Sequence, residues 1–478
     1  MRGIKTFFSQ VFKAWAAKLE KPRPSPTILR REIPVPRWML FLMIAAAVFA
    51  ALVSEFGFDK RLFLGAVICA AFWTVLMVLS LKFERALNDS KFLLTGIIII
   101  ASIVLTQIAK SKRIPMYFIF TPMAVSILNF LVSKRIAAVC TVLISLIVSL
   151  IYLGDFRIFF ISLAGGIGAA AYPKRIIRRS DLFLNGLSIF VFVFAAMSIL
   201  HLFGIHSGNF IKDAVYIPLL VAVSTSVFVM AFLPLFEGLF NITSDIRLIE
   251  LSDFNQPLLK RLMAEAPGTY HHSLMVAALA DAAASEIGCN SILARAGAYY
   301  HDIGKIKKPQ YFVENQTGEN VHENLKPEMS ALVIVSHTKE GLLLAGEYGI
   351  DNCIKAFIAQ HHGTTIVQYF FRKAAAAPGL TDETTYRYPG PLPQTRETAI
   401  VMLADSVEAA CRAIEDKNYE KIKDTVHKII NNYFAGGQLN ECPITLKNIQ
   451  KIGDVFTKTL MSIHHIRLEY PEAVSEKK

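Results

Sequence analysis

Seven imidazole and carboxylate side chains are scattered through the second half of this 478-residue chain: His272, His301, Asp302, His337, His361, His362 and Asp405. His301 and Asp302 are adjacent in "YYHDIGK", and His361 and His362 in "IAQHHGTT". His337 falls in "VIVSHTKEG" and Asp405 in "IVMLADSVEAA". Each lies in or at the end of an apolar helical pattern, so each is expected to face a core, where an unpaired polar group is costly. Metal coordination is one way to satisfy it. Taken singly, a His on an apolar face is more often a hydrogen-bonded core residue than a ligand. Taken together, a set made only of His and Asp, without Cys, argues for ligation. Mixed imidazole and carboxylate donors suit Fe, Mn or Zn better than Ca or Mg.

The count points to two ions. His272, His301, Asp302 and Asp405 are enough for one metal. His337, His361 and His362 are too many for that centre, and the right number for a second if Asp302 bridges the pair. Two metals about 3.5–4 Å apart can hold a bridging hydroxide and clamp a phosphoryl group. Lys305 stands one turn after His301, so both can face the same cavity. Its ammonium would there neutralise a non-bridging phosphate oxygen; the alternative is an ordinary solvated Lys. Asp302 and Lys305 are therefore the expected catalytic residues.

The elements that must position these groups read as helices. From residue 270 onward helical periodicity covers 271–286, 291–303, 325–349, 351–361, 395–415, 418–434 and 443–468. Strand-like alternation is scarce, so the expected fold is all-α. A Pro-rich stretch at 374–394 reads as a long loop. Residues 241–267 read as a connector, in which Leu248, Leu251, Leu258, Leu259 and Leu262 suit short amphipathic helices and Pro257 forbids one long helix.

The first half is a different material. The chain is 53% hydrophobic overall, and the excess is concentrated before residue 240. Eight apolar runs fall at roughly 38–54, 62–81, 92–109, 116–133, 136–153, 156–172, 182–205 and 214–240. Most approach the ~20 residues that cross about 30 Å of hydrocarbon as helix. The formal net charge of +12 is better read as membrane topology than as a nucleic-acid footprint, because much of it flanks these runs. Residues 1–37 form a basic tail, and the loops at 82–91, 134–135 and 173–181 are also basic. With the tail in the cytoplasm, eight spans return the chain there at about 241; "AKSKRIP" at 109–115 is a basic exception among the outward loops. Six scattered Cys without CxxC spacing suggest neither a disulfide framework nor a zinc ribbon.

Several stretches resemble the membrane-anchored HD-domain phosphohydrolases of the seven-transmembrane receptor type, whose better-known members hydrolyse cyclic di-AMP. They are "LLKRLMAEAPGTYHHSLMVAALA", the segment from "YYHDIGKIKKPQ" to "SHTKEG", "IAQHHGTTIVQYFF", "YRYPGPLPQTRETAIVMLADSVEAACR" and "HHIRLEYP". The resemblance is dense over 241–471 and extends by hydropathy over the spans. It implies attack of water on a 3′–5′ phosphodiester of cyclic di-AMP to give linear pApA, with a pair of Fe or Mn ions. By motif, His272, His301, Asp302 and Asp405 would hold the first metal, and Asp302, His337, His361 and His362 the second. His272 is preferred to His271 because it begins the H-x-x-x-V spacing. Asn315, Arg372, Tyr388, Arg396 and Lys305 are candidates for substrate contacts, against plain loop and surface roles for the first four. Two departures stand out. The first two apolar runs are joined only by "SEFGFDKR", where the family usually carries a large external domain, and "SHTKEG" replaces the more usual "SHVKDG".

The expected layout is thus a basic tail (1–37), a transmembrane domain (38–240), a connector (241–267), a cytoplasmic HD domain (268–471) and a tail (472–478). The expected partners are a cyclic dinucleotide and the lipid bilayer of a bacterial cytoplasmic membrane, with no nucleic-acid polymer and a homodimer left open. A cyclic di-GMP enzyme ranks second, since that subgroup carries HHExxDGxGYP where this chain has "HHGTTIVQYFF". A non-catalytic nucleotide receptor would be favoured by a lost ligand position, and none is lost. A transporter would place charges or helix breakers mid-span; here Gly165, Gly166 and Gly168 are expected to serve helix packing instead. His201 and His206 are expected at a membrane boundary, His322 near the pocket without ligating, and His464 and His465 in structural roles.

Overall fold

The computed structural model describes residues 89–114, 119–172, 178, 180–316, 318, 320–376, 382–415 and 418–463. The basic tail, the apolar runs at 38–54 and 62–81, His464 and His465 lie outside them. The described residues are helical, and their nearest approach to a sheet is one isolated antiparallel bridge between Ile366 and Arg387. The expected all-α class holds. The chain divides into two compact units, with the division in the second half of the chain falling between Arg247 and Leu248.

The first unit contains α1 (Asp89–Ser111), α2 (Thr121–Leu131), α3 (Lys134–Ile151), α4 (Phe156–Ala171), α5 (Ser180–Leu202) and α6 (Ile217–Phe240), the last entered through a π-helical turn at Ile211–Tyr216. Among the described residues, four stretches are long and apolar enough to cross a bilayer: Ser90–Ser111, Lys134–Ile151, Ser180–Leu202 and Ile211–Phe240. Among the described residues of the run expected at 116–133, the helix is the 11-residue α2. Its C-terminal end is set locally. Ser133 is extended and its side chain accepts the Ile136 N–H, so the sequence that could have prolonged α2 caps α3 instead.

Hydroxyls and amides link these helices across their buried faces. Thr121 meets Ser162 at 2.6 Å, Ser162 donates to Ser145, and Ser126 donates to Asn185 at 2.8 Å. Such pairs, with small residues, hold helices together in lipid, where apolar burial alone gives little preference for a neighbour. Gly168 shows the close approach directly, because a Cβ there would sit 3.0 Å from the Ser188 carbonyl and the Ile189 Cα.

The second unit takes in α7 (Asp245–Leu251) from Leu248 onward, followed by α8 (Pro257–Glu265), α9 (Pro267–Glu286) and α10 (Ser291–Tyr300). Short 3-10 turns then run from Ile303 to Asn324 before α11 (Pro327–Glu347), α12 (Asn352–Gln360), α13 (Gln368–Ala375), α14 (Arg396–Arg412), α15 (Tyr419–Ala435) and α16 (Leu446–Ile463). Sequence chemistry sets many of the starts. Pro257, Pro267 and Pro327 each occupy the first helical position, where the missing N–H is harmless. Asn290 and Asn418 cap α10 and α15, and Thr395 forms a capping box with Thr398 on α14.

From Leu248 onward, the stretch read as a connector contributes to this core. Leu248, Leu251, Leu258, Leu259 and Leu262 pack with Tyr300, Ile303, Leu344 and Ile358, and the Tyr300 hydroxyl donates to the Leu251 carbonyl. A second apolar cluster joins α9, α10, α14, α15 and α16 through residues such as Val276, Ala294, Val401, Ile430 and Phe456. Helix α13 had no counterpart among the expected elements. It packs Phe370 and Ala374 on Ala331 and Tyr386, inside what the sequence presents as loop-rich ground.

Candidate metal centre

The seven candidate ligands come from five separate places in the second unit. His272 is in the second turn of α9, and His301 and Asp302 follow the last turn of α10. His337 is on α11, His361 and His362 follow α12, and Asp405 is midway along α14. The turn after Asp302 is pressed onto α11. A Cβ on Gly304 would run into the His337 backbone carbonyl, so "HDIGK" can pass there only with glycine. That contact sets Asp302 beside His337.

The groups fall into two overlapping sets, His272–His301–Asp302–Asp405 and Asp302–His337–His361–His362, each close enough to share an ion. Asp302 belongs to both and faces them with different oxygens. Its Oδ2 is 3.2 Å from His301 Nε2, and its Oδ1 is 3.3 Å from His337 Nε2 and 3.5 Å from His361 Nε2. In the first set, His272 Nε2 lies 2.9 Å from Asp405 Oδ1. His362 is the most exposed of the seven, and its Nδ1 lies 3.7 Å from Asp405 Oδ2 of the other set.

The rings are oriented from behind. His301 Nδ1 donates to the Ala298 carbonyl at 2.7 Å, His337 Nδ1 to Ile334 at 2.6 Å, and His361 Nδ1 to Phe357 at 3.0 Å. His272 Nδ1 is held by Glu408 at 2.5 Å. With Nδ1 engaged, each neutral ring turns an Nε2 lone pair inward, as a metal-bound imidazole does. The result without a cation is frustrated. His337 Nε2 and His361 Nε2 face each other at 3.2 Å, lone pair to lone pair. His301 Nε2 and Asp302 Oδ1 are buried without a directed hydrogen bond, and Asp302 Oδ2 is met by the Lys305 ammonium at 2.7 Å. Orphaned atoms at 0–1% exposure are costly, and a divalent cation relieves all of them together. The residues therefore fit metal ions.

Electrostatics agree. Burial would raise the Asp302 carboxyl, but the Lys305 and His301 charges outweigh it and hold the group well below the usual range. Asp405 is likewise low, because its hydrogen bonds to His272 and His301 overcome burial. Burial, reinforced by His361 and Lys305, pushes the His337 ring down to about 3 despite the pull of Asp302. His362 is also well below its ordinary value, through burial and then the neighbouring His361. Ionised carboxylates and bare imidazoles are the forms that bind metal. His301 and His272 go the other way: burial lowers both, yet Asp302 and Asp405 lift His301 to about 10, and Asp405 and Glu408 raise His272. An ion there takes the place of those protons.

The amino-acid sequence finds its relatives at this point. Residues 59–244 match the family described as "7TM receptor with intracellular HD hydrolase", and residues 269–410 match the HD domain. Over these two stretches the chain is similar to the membrane-bound HD phosphohydrolases. It is 37% identical over 361 residues to the cyclic-di-AMP phosphodiesterase PgpH of Bacillus subtilis, covering 74% of this chain and 51% of that one. It is 47% identical over 241 residues to PgpH of Listeria monocytogenes, covering 50% of this chain and 34% of that one. A crystal structure of the L. monocytogenes PgpH HD domain with cyclic-di-AMP is 48% identical, matched over 45% of this chain and all of that one, with a TM-score of 0.43. The chain thus spans about half or less of the length of these curated relatives. With its apolar helices and the matched seven-transmembrane region, the protein is a multi-pass membrane protein.

The remaining candidates divide by position. Lys305 of the HD motif is not a solvated side chain: its Nζ lies 2.7 Å from Asp302 Oδ2 and 2.8 Å from Glu314 Oε1. Tyr388 is against the cluster, its ring stacked on His362 at 4.2 Å. Asn315 instead ties its turn to α9, accepting from the Thr269 N–H and donating to the Thr269 hydroxyl. Arg372 is exposed beside Gln368, Tyr369 and Lys373. Arg396 opens α14 nine residues before Asp405, about 13 Å along the helix axis. His322 is buried outside both sets, and its Nε2 donates to the Tyr311 carbonyl at 2.8 Å. Two acidic residues escaped the sequence reading. Glu408 holds His272, and Glu314 holds Lys305. Glu408 had a signal, since it follows Asp405 by three residues and shares its helix face.

Proposed function

We propose that this protein is a metal-dependent phosphodiesterase that hydrolyses cyclic di-AMP to linear pApA. The observation that carries the reading is Asp302 serving two sets of ligating side chains with its two oxygens, in a chain whose curated relatives are named cyclic-di-AMP phosphodiesterases. Five imidazoles and two carboxylates are a donor set for Fe or Mn, which we assign as the resident pair. Bound in the two sets, the ions supply Lewis-acid charge and a water poised to attack phosphorus.

The protein groups do the rest. Asp302 holds the two halves of the site in register, and Asp405 and Glu408 fix His272. Lys305 is held at the edge of the cluster between Asp302 and Glu314, where its ammonium offsets charge on a non-bridging phosphate oxygen. The oxygen of water adds to phosphorus, the bond to one ribose 3′ oxygen breaks, and that oxygen takes up a proton. Tyr388, stacked on His362, forms an aromatic wall suited to a base.

The basic stretches at 134–135 and 173–181 favour a cytoplasmic HD domain on a bacterial inner membrane. A purified fragment 241–478, kept anaerobic with Mn²⁺, tests the chemistry. It should convert cyclic di-AMP to pApA, favour it over cyclic di-GMP, and lose the activity with Asp302→Ala. Tight binding of cyclic di-AMP without turnover would replace the enzyme by a receptor. Preference for cyclic di-GMP would replace the substrate.

A further inference from the structure

Among the described residues one more group of ligating side chains converges, and it lies in the other unit. His201 is in the last turn of α5, His206 is in the following loop, and Asp213 is in the π-helical turn before α6. One ligand atom from each lies within 4.8 Å of the others. A π-turn is a rare distortion that recurs at functional sites, and here it carries Asp213. His206 Nε2 is 2.8 Å from Asp213 Oδ2, and both side chains are only 13% exposed. The His201 and His206 rings meet edge to face at 4.7 Å. Gly208 closes the cradle: a Cβ there would fill the space in front of Asp213 Oδ2 and His206 Nε2.

His201 is the informative residue. Its Nδ1 is 3.1 Å from the Met197 carbonyl and its Nε2 is 3.3 Å from the Gly208 carbonyl. Both partners can only accept, and a neutral imidazole has one N–H to give. With Nδ1 donating to Met197, as in the HD-site histidines, the Nε2 lone pair faces an oxygen lone pair. A cation between Nε2 and the Gly208 carbonyl resolves the conflict, with His206 and Asp213 in reach. The surrounding loop is apolar, with Leu202, Phe203, Ile205 and Phe210 exposed, which suits a membrane–water boundary.

We propose that His201, His206 and Asp213 form a second metal site, specific for a transition-metal dication of the zinc class. Two imidazoles and one carboxylate with open positions are the donor set of such a site. The helical stretch Ile211–Phe240 separates it from Asn241. In a bilayer the site and the chain's entry into the HD unit therefore sit at opposite faces. The site takes metal at the end of Ile211–Phe240 away from Asn241, and it stands whether or not the hydrolase reading does.

The test is residue-resolved footprinting on the full chain in lipid nanodiscs, stripped with chelator. Labelling with diethyl pyrocarbonate, read by mass spectrometry, should show His201 and His206 reactive without metal and protected at least about fivefold by micromolar Zn²⁺. Unchanged labelling of both, at zinc levels that protect His272 and His337, overturns the proposal. Zinc counts give an independent arm: Asp213→Asn and His206→Gln should each lose one ion per chain, while His206→Cys, which supplies a thiolate, keeps it. Equal counts in all three variants and the parent overturn it too, and where a variant fails to fold the wild-type footprint decides.

Discussion

The two His/Asp clusters share a local device and differ in what holds them. In both, a His donates Nδ1 to a carbonyl of its own helix, Ala298 for His301 and Met197 for His201, and so aims Nε2 at a carboxylate or a carbonyl. The HD cluster gathers its residues from five places in a packed domain, at 0–8% exposure for six of the seven. The loop cluster gathers its residues from one connection between two helices. Long-range packing can enforce unfavourable contacts, such as two imidazole lone pairs 3.2 Å apart. A loop relaxes most of them, which is why His206 and Asp213 are already paired. The first arrangement leaves several buried ligand atoms unpaired, although His272 and Asp405 are already in contact, whereas the second must open the His206–Asp213 pair to take an ion.

The largest expected contrast is in catalysis. Asp302→Ala removes the group common to both HD sets and should lower hydrolysis on the order of 10³-fold or more. His206→Gln should leave the rate within about twofold, because it changes neither substrate contacts nor the HD cluster. A rate loss shared by both variants in steady-state assays would mean the clusters do not act separately.

Next comes support from behind the ligand. Glu408→Gln keeps the size of the side chain that holds His272 Nδ1 but removes its charge. Metal affinity or activity should fall about 10–100-fold, read by metal titration. Release of ions to a chelator separates the clusters in time. Zinc at the loop should leave well before the HD ions, followed by the return of His201 and His206 labelling, and the reverse order would break the comparison.

The smallest effects are in stability. A Cβ at Gly304 strikes the His337 backbone, which cannot move, whereas one at Gly208 meets only side-chain ends of Asp213 and His206. Gly304→Ala should cost about 3 kcal/mol and Gly208→Ala under about 1 kcal/mol, measured by thermal unfolding. Equal costs would show that the turn after Asp302 is softer than its packing implies.

Much of the site was legible because its residue types are rare inside apolar helical patterns. His272, His301, Asp302, His337, His361, His362 and Asp405 could be picked out that way and divided into two sets by count. Glu314 was not legible, because a Glu in a turn-rich stretch looks the same whether it meets water or Lys305. The loop cluster was half legible. His201 and His206 read as two boundary histidines, and nothing in the spacing marked Asp213, since a π-turn shifts the side-chain register that helical periodicity assumes. The packing of the connector leucines was legible only in part, because amphipathic leucines at 248–262 announce burial but not which core receives them.

The sequence by itself determined the division into an apolar, membrane-crossing half and a helical, His-bearing half, because both follow from composition and period along the chain. It also determined most helix starts, through prolines and caps that act within a few residues. Only the tertiary structure decided that Asp302 turns one oxygen to each set, that Glu408 and Glu314 stand behind His272 and Lys305, and that a loop folds His206 and Asp213 back onto His201. Those pairings join residues brought together by packing, and their energies depend on distances of a few ångströms that no one-dimensional pattern records.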